Sequence, residues 1–150
     1  MPLPSGDVAQ ITGIANVIQL SIAPVFLLTG VAAILGVLTN RLARIIDRAR
    51  RLEDVLLHAS GDREQLIRSE LHTLARRSKL VNRAISLATS CALLICVLIV
   101  GLFAAAFTNT RIEAHIGWLF VAAMVALIGA LVVFLREVYV ATANLRIGPY

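Results

Sequence analysis

Residues 84–110 read AISLATSCALLICVLIVGLFAAAFTNT, twenty-seven consecutive positions without Asp, Glu, Lys, Arg or His. Roughly 20 apolar residues in a helix cross a ~30 Å hydrocarbon core, so this stretch has the length and composition of a membrane span. Two more charge-free windows flank it, 30 residues from Ile11 to Asn40 and 20 from Ile116 to Leu135. Lipid offers no partner for a free N–H or C=O, which leaves the α-helix as the spanning form. Over the 150 residues, 59% are apolar and the mean hydropathy is +0.85. A soluble domain is about half apolar.

The expected architecture is all-α and a single membrane domain over 1–150. It has three transmembrane helices at about 14–39, 84–107 and 116–138 and a cytoplasmic antiparallel helical hairpin over 41–83. A secretory signal peptide is the competing reading of the first window. The leader Met1-Pro2-Leu3-Pro4-Ser5-Gly6-Asp7 has no positive residue, the apolar stretch is too long, and no small-residue cleavage pattern ends it. A retained helix is expected.

Orientation follows from charge. Of the 14 Lys and Arg, 11 fall between Arg41 and Arg83 against 6 acidic residues, so this loop alone carries +5. The positive-inside rule places it in the cytoplasm, with the N-terminus outside and the C-terminus inside. Trp118 and Tyr139, 21 residues and about 31 Å of helix apart, bracket the third span as interfacial anchors.

Within the first window Pro24 removes a backbone hydrogen bond to Leu20, and a kink is expected there. Thr12, Asn16 and Gln19 form a polar face before it. Beyond Asn40, Leu42, Ile45, Ile46, Ala49, Leu52, Val55 and Leu56 recur at helical spacing. Asp47–Arg51 and Arg50–Asp54 are expected i,i+4 ion pairs. Ser60-Gly61-Asp62 breaks the helix, with Gly61 left-handed and Asp62 and Gln65 forming a capping box. The return arm, carrying Leu66, Ile67, Leu71, Leu74, Leu80, Val81 and Ile85, runs into the second span. The two arms together should stand about 30 Å out of the membrane. A mostly polar link of about eight residues, Thr108 to His115, joins the second and third spans, which are therefore antiparallel neighbours. Ala122, Ala126 and Ala130 with Gly129, and Ala32 with Gly36, are small-residue ridges that allow close helix approach in lipid.

These features resemble a family of small bacterial membrane proteins catalogued as domain of unknown function twenty-seven twenty-one. The matching residues are Pro24 with Leu27-Leu28, the run Asn40-Arg41-Leu42-Ala43-Arg44-Ile45-Ile46-Asp47-Arg48-Ala49-Arg50, Arg76-Arg77 ahead of Asn82-Arg83-Ala84-Ile85, and Phe134-Leu135-Arg136-Glu137. The resemblance covers roughly Ile14 to Leu145, with the Asn-Arg-Leu to Asp-Arg run its most specific part. It implies a bacterial inner membrane location and no established activity.

No acid, base and nucleophile converge, no phosphate loop occurs, and Asp54 with His58 lacks a third metal ligand. No enzyme, cofactor or metal is expected. Cys91 and Cys96, five apart inside a span, read as apolar packers. No intramembrane carboxylate or lysine is expected, which argues against a conventional proton relay or a charged coupling site. Arg41, Arg44, Arg48, Arg76, Arg77, Lys79 and Arg83 form a basic collar, read as anchors to anionic lipid headgroups or as the inner mouth of a pore. Acidic residues interleave with them and aromatics are absent from the loop, so nucleic acid is not an expected partner. Thr12, Asn16 and Gln19 with Ser86, Thr89 and Ser90 form a polar stripe that either packs between helices or lines a path. The functional expectation is a homo-oligomer acting as a channel or passive conduit. The alternative is a non-catalytic membrane adaptor whose hairpin docks a cytoplasmic protein partner.

Overall fold

In the computed structural model the backbone is described for residues 5–108 and 113–143, and side chains for 13–106 and 115–142. The described residues form three helices, α1 (Ser5–Leu56), α2 (Asp62–Thr108) and α3 (Glu113–Ala143). Each contains a segment long and apolar enough to cross a membrane. At 1.5 Å per residue, the 52 residues of α1 and the 47 of α2 reach about 78 and 70 Å. Both are more than twice the thickness of a hydrocarbon core, so each must continue well beyond it. The excess is the charged part of the sequence, which is helical without a break from either apolar segment. Pro24 lies buried within α1, and the helix continues through it.

Buried positions recur every seven residues. On α1 they are Pro24, Val31, Leu38 and Ile45; on α2, Ile67, Leu74, Val81, Ala88 and Ile95, with a second row of Ala84, Cys91 and Leu98; on α3, Ala123, Ala130 and Glu137. A seven-residue repeat keeps one seam facing the neighbour over many turns and is the pattern of left-handed knobs-into-holes packing. Because α2 packs against both α1 and α3, it carries two rows. One core cluster joins Val31 to Ala88, Cys91, Ile95, Ala123 and Ala130 across all three helices. A second joins Leu38 and Ile45 to Leu74, Val81 and Ala84, with Val133 and Phe134 of α3 against it.

The α3 seam therefore departs from the ridge expected at four-residue spacing. Ala123 and Ala130 are buried and Ala126 half-buried, but Ala122 is exposed. Gly129 sits beside Leu87, whose Cδ1 would lie 3.5 Å from an added Cβ. Ala32 and Gly36 are exposed and are not used to pack this chain.

At the turn, α1 unwinds through tight bonds from the N–H of His58 to the Val55 carbonyl and of Ala59 to the Leu56 carbonyl. Gly61 has φ +65°, the left-handed conformation expected of it. Its carbonyl accepts from the N–H of Gln65 at 3.4 Å and of Glu64 at 3.0 Å. Gly61 itself is thus the N-cap, and Asp62 stands in the first turn, where its charge favours the helix N-terminus. The pairs Asp47–Arg51 and Arg50–Asp54 do not form. The ion pairs among the described residues are Arg48–Glu70 between the arms, Glu64–Arg68 within α2, and Arg41 and Arg77 with Glu137.

Candidate functional site: a buried carboxylate at the foot of the arms

Two residues before Tyr139, α3 buries Glu137 completely. The heptad carries it there, since Ala123, Ala130 and Glu137 share one seam. An ionised carboxylate removed from water is unfavourable by several kcal/mol unless cations and donors replace its hydration. Both other helices supply a cation, but only α2 supplies hydrogen bonds, and the buried Oε2 accepts none among the described residues. Arg77 of α2 donates to Oε1 of Glu137 from Nε at 3.2 Å and from Nη2 at 3.0 Å. Arg41 of α1 places Nη1 3.3 Å from Oε2. Arg41 also lies over the Phe134 ring, 5.3 Å from its centroid, a cation–π contact one turn before the carboxylate.

The two arginine side chains remain part-exposed, 32% for Arg41 and 23% for Arg77. The triad carries a net positive charge and ties all three helices at the point where the apolar segments of α1 and α2 give way to the charged arms. The expectation of no intramembrane carboxylate is corrected here, because Glu137 is buried within the long apolar segment of α3. Glu137 falls inside the expected 116–138 span and just past the charge-free window, and its pairing with two arginines offsets the cost of its burial.

The basic collar divides into three kinds of residue. Arg41 and Arg77 turn inward to Glu137. Arg48 crosses to Glu70 of the opposite arm, and Arg44 joins Arg41, Arg48 and Arg77 along one groove. Arg76, Lys79 and Arg83 are exposed and lie off that groove.

The polar stripe is not one line in this chain. Ile18, Ile22 and Val25 share a groove with Ile99 and Phe103, which sets Gln19 near the level of Phe103. Ser86 is 17 residues from Phe103, about 25 Å along α2, so the two halves of the stripe lie at opposite ends of the apolar region. Asn16, Gln19, Ser86, Thr89 and Ser90 are exposed, and the side chain of Thr12 lies outside the described residues. Ser86 and Ser90 donate to carbonyls of their own helix, those of Asn82 at 3.0 Å and Ser86 at 2.9 Å. Such back-bonding satisfies a hydroxyl on an apolar surface without a second helix.

Neither the curated proteins nor the solved structures contain a match to this chain. A family model does match it, across residues 21–147, and the chain belongs to that family, described as Protein of unknown function (DUF2721).

Proposed function

We propose that this chain is a non-catalytic adaptor of the bacterial inner membrane, whose α1–α2 arms stand in the cytoplasm as a rigid platform for a protein partner. One observation carries the reading. Both helices run unbroken from their apolar segments into the arms, and the Glu137 triad joins them to α3 at the junction. A bend at that level would have to break helical hydrogen bonds and separate a buried carboxylate from its cations. The tip of the arms offers the partner an apolar contact, with Leu57 82%, Leu66 69% and Val55 43% exposed. By the charge asymmetry of the sequence, this tip faces the cytoplasm. The family match includes the whole triad and both arms and begins beyond Asn16 and Gln19.

The test places a photo-cross-linking residue at Leu57 in cells and compares the wild-type chain with Leu66→Glu. A protein adduct that Leu66→Glu abolishes, and whose purified partner binds the purified chain directly, is the expected outcome. Adducts to lipid alone, or adducts unaffected by the Leu66 change, would remove the basis for a docking tip.

The conduit is the second reading, favoured by the exposure of Asn16 and Gln19 on an apolar segment. Neighbouring copies of the chain would cover these side chains in a homo-oligomer, together with the exposed Ala32 and Gly36. Liposomes carrying the purified chain would then pass ions or small solutes above the empty-liposome level, and Asn16→Leu with Gln19→Leu would abolish that flux. Flux equal to empty liposomes ends this reading.

A further inference from the structure

We propose that the groove between α1 and α2 at the foot of the arms is a binding site for the phosphate of an anionic lipid headgroup. Its walls are Arg41, Arg44, Arg48 and Arg77, its floor is Ile45 and Leu74, and its volume is about 270 Å³. Two carboxylates answer these four cations, Glu137 for Arg41 and Arg77 and Glu70 for Arg48. Arg44 makes no ion pair among the described residues. Two positive charges are left over, a complement to a phosphate of one or two negative charges. Planar guanidinium forks match phosphate oxygens in pairs, so the residue type fits as well as the charge. Asp47, the acidic residue next to Arg48, is exposed and does not line the groove.

Position commits the site to lipid over free phosphate. Arg41 to Arg48 spans seven residues, about 10 Å of helix, beginning at the level of Glu137 and hence near Tyr139. Tyr139 is 74% and Trp118 75% exposed, as interfacial anchors at the two ends of α3 would be. Headgroups occupy roughly 5–7 Å on each side of the hydrocarbon core. The groove therefore opens at headgroup depth, with its apolar floor continuous with the core that joins Leu38 and Val81. This inference rests on the reading of α1 to α3 as spans. Sidedness is read separately by thiol labelling, so a reversed orientation would leave the lipid affinity itself unchanged.

The full chain, purified in neutral detergent, is titrated with phosphatidylglycerol and followed by native mass spectrometry, with phosphatidylcholine and inorganic phosphate as comparisons. Arg44→Gln is the informative variant, because Arg44 is exposed and unpaired and its loss leaves the triad intact. A basic residue at the membrane surface is worth about 1 kcal/mol toward anionic lipid, so Arg44→Gln should weaken phosphatidylglycerol binding about fivefold. Arg76→Gln, exposed but off the groove, should keep the wild-type affinity, and phosphatidylcholine should bind less tightly than phosphatidylglycerol to both. Equal losses in the two variants would mean a diffuse collar and overturn the site. So would no loss in Arg44→Gln, or displacement of the lipid by inorganic phosphate at comparable concentration.

Discussion

Glu137→Gln is the substitution that most sharply separates a structural triad from an incidental contact. The change keeps the shape of the side chain and removes one charge. In the wild type, each guanidinium lies within 3.0–3.3 Å of a carboxylate oxygen. With charge centres about 4 Å apart and an effective dielectric near 20, each attraction is worth about 4 kcal/mol. Desolvation of the fully buried carboxylate offsets much of that sum. In the variant both attractions are lost, while Arg41 and Arg77 still converge on one point and repel each other. Removing one member of a buried pair costs about 3–5 kcal/mol. Here the arginines are 32% and 23% exposed, and water screens the charges left behind. That reduces the expected loss to about 2–3 kcal/mol.

The assay is equilibrium unfolding in mixed detergent micelles, followed by circular dichroism, with a double-mutant cycle through Arg77→Gln. The cycle should return a coupling of about 1–3 kcal/mol, because the double variant no longer leaves a cation without its anion. The triple variant Glu137→Gln, Arg41→Gln, Arg77→Gln should be more stable than Glu137→Gln alone. A Glu137→Gln chain within about 0.5 kcal/mol of wild type, or additive single and double effects, would refute the argument that the triad holds the helices together.

Four other substitutions test separate parts of the structure in the same unfolding assay. Arg48→Ala breaks a pair whose side chains are 67% and 40% exposed, so it should cost no more than about 1 kcal/mol, well below Glu137→Gln. Gly61→Ala should cost about 1 kcal/mol through its φ of +65° alone, since an added Cβ there meets nothing within 4 Å. Ala130→Leu overfills the seam shared by α2 and α3, where Ala130 is 1% exposed, and should cost about 1–3 kcal/mol; Leu at the exposed Ala122 should be nearly neutral.

The helices could be read from the sequence because their cause is local. Charge-free windows set the apolar segments, and Gly61 marks the turn through its own backbone freedom. The site was harder to see, because its cause is distributed along the chain. Glu137 lies 60 residues from Arg77 and farther still from Arg41, and nothing in the sequence next to it marks a partner. The charge-free window ends at Leu135, which made Glu137 look like a flanking polar residue. The available signal was the seven-residue repeat from Ala123 through Ala130 to Glu137, which puts the carboxylate on the packed seam. A four-residue spacing of small residues does not follow that repeat, which leaves Ala122 exposed beside the buried Ala123 and Ala130. The collar likewise read as one basic band, but only packing against α3 separates Arg41 and Arg77 from Arg76, Lys79 and Arg83. The polar residues of the first and second spans read as one stripe, and the antiparallel register divides it between the two ends of the apolar region.

The docking role depends on which side of the membrane the arms occupy, and thiol labelling reads that directly. Single cysteines at Leu57, at the turn, and at Asp7, in the leader, are probed with a membrane-impermeant maleimide before and after the inner membrane is permeabilised. The native Cys91 and Cys96 lie in the apolar part of α2 and are replaced by Ala in this background. With the arms in the cytoplasm, Leu57→Cys reacts only after permeabilisation and Asp7→Cys reacts in intact spheroplasts. Labelling of Leu57→Cys in intact spheroplasts would put the arms outside the cell and contradict the cytoplasmic platform.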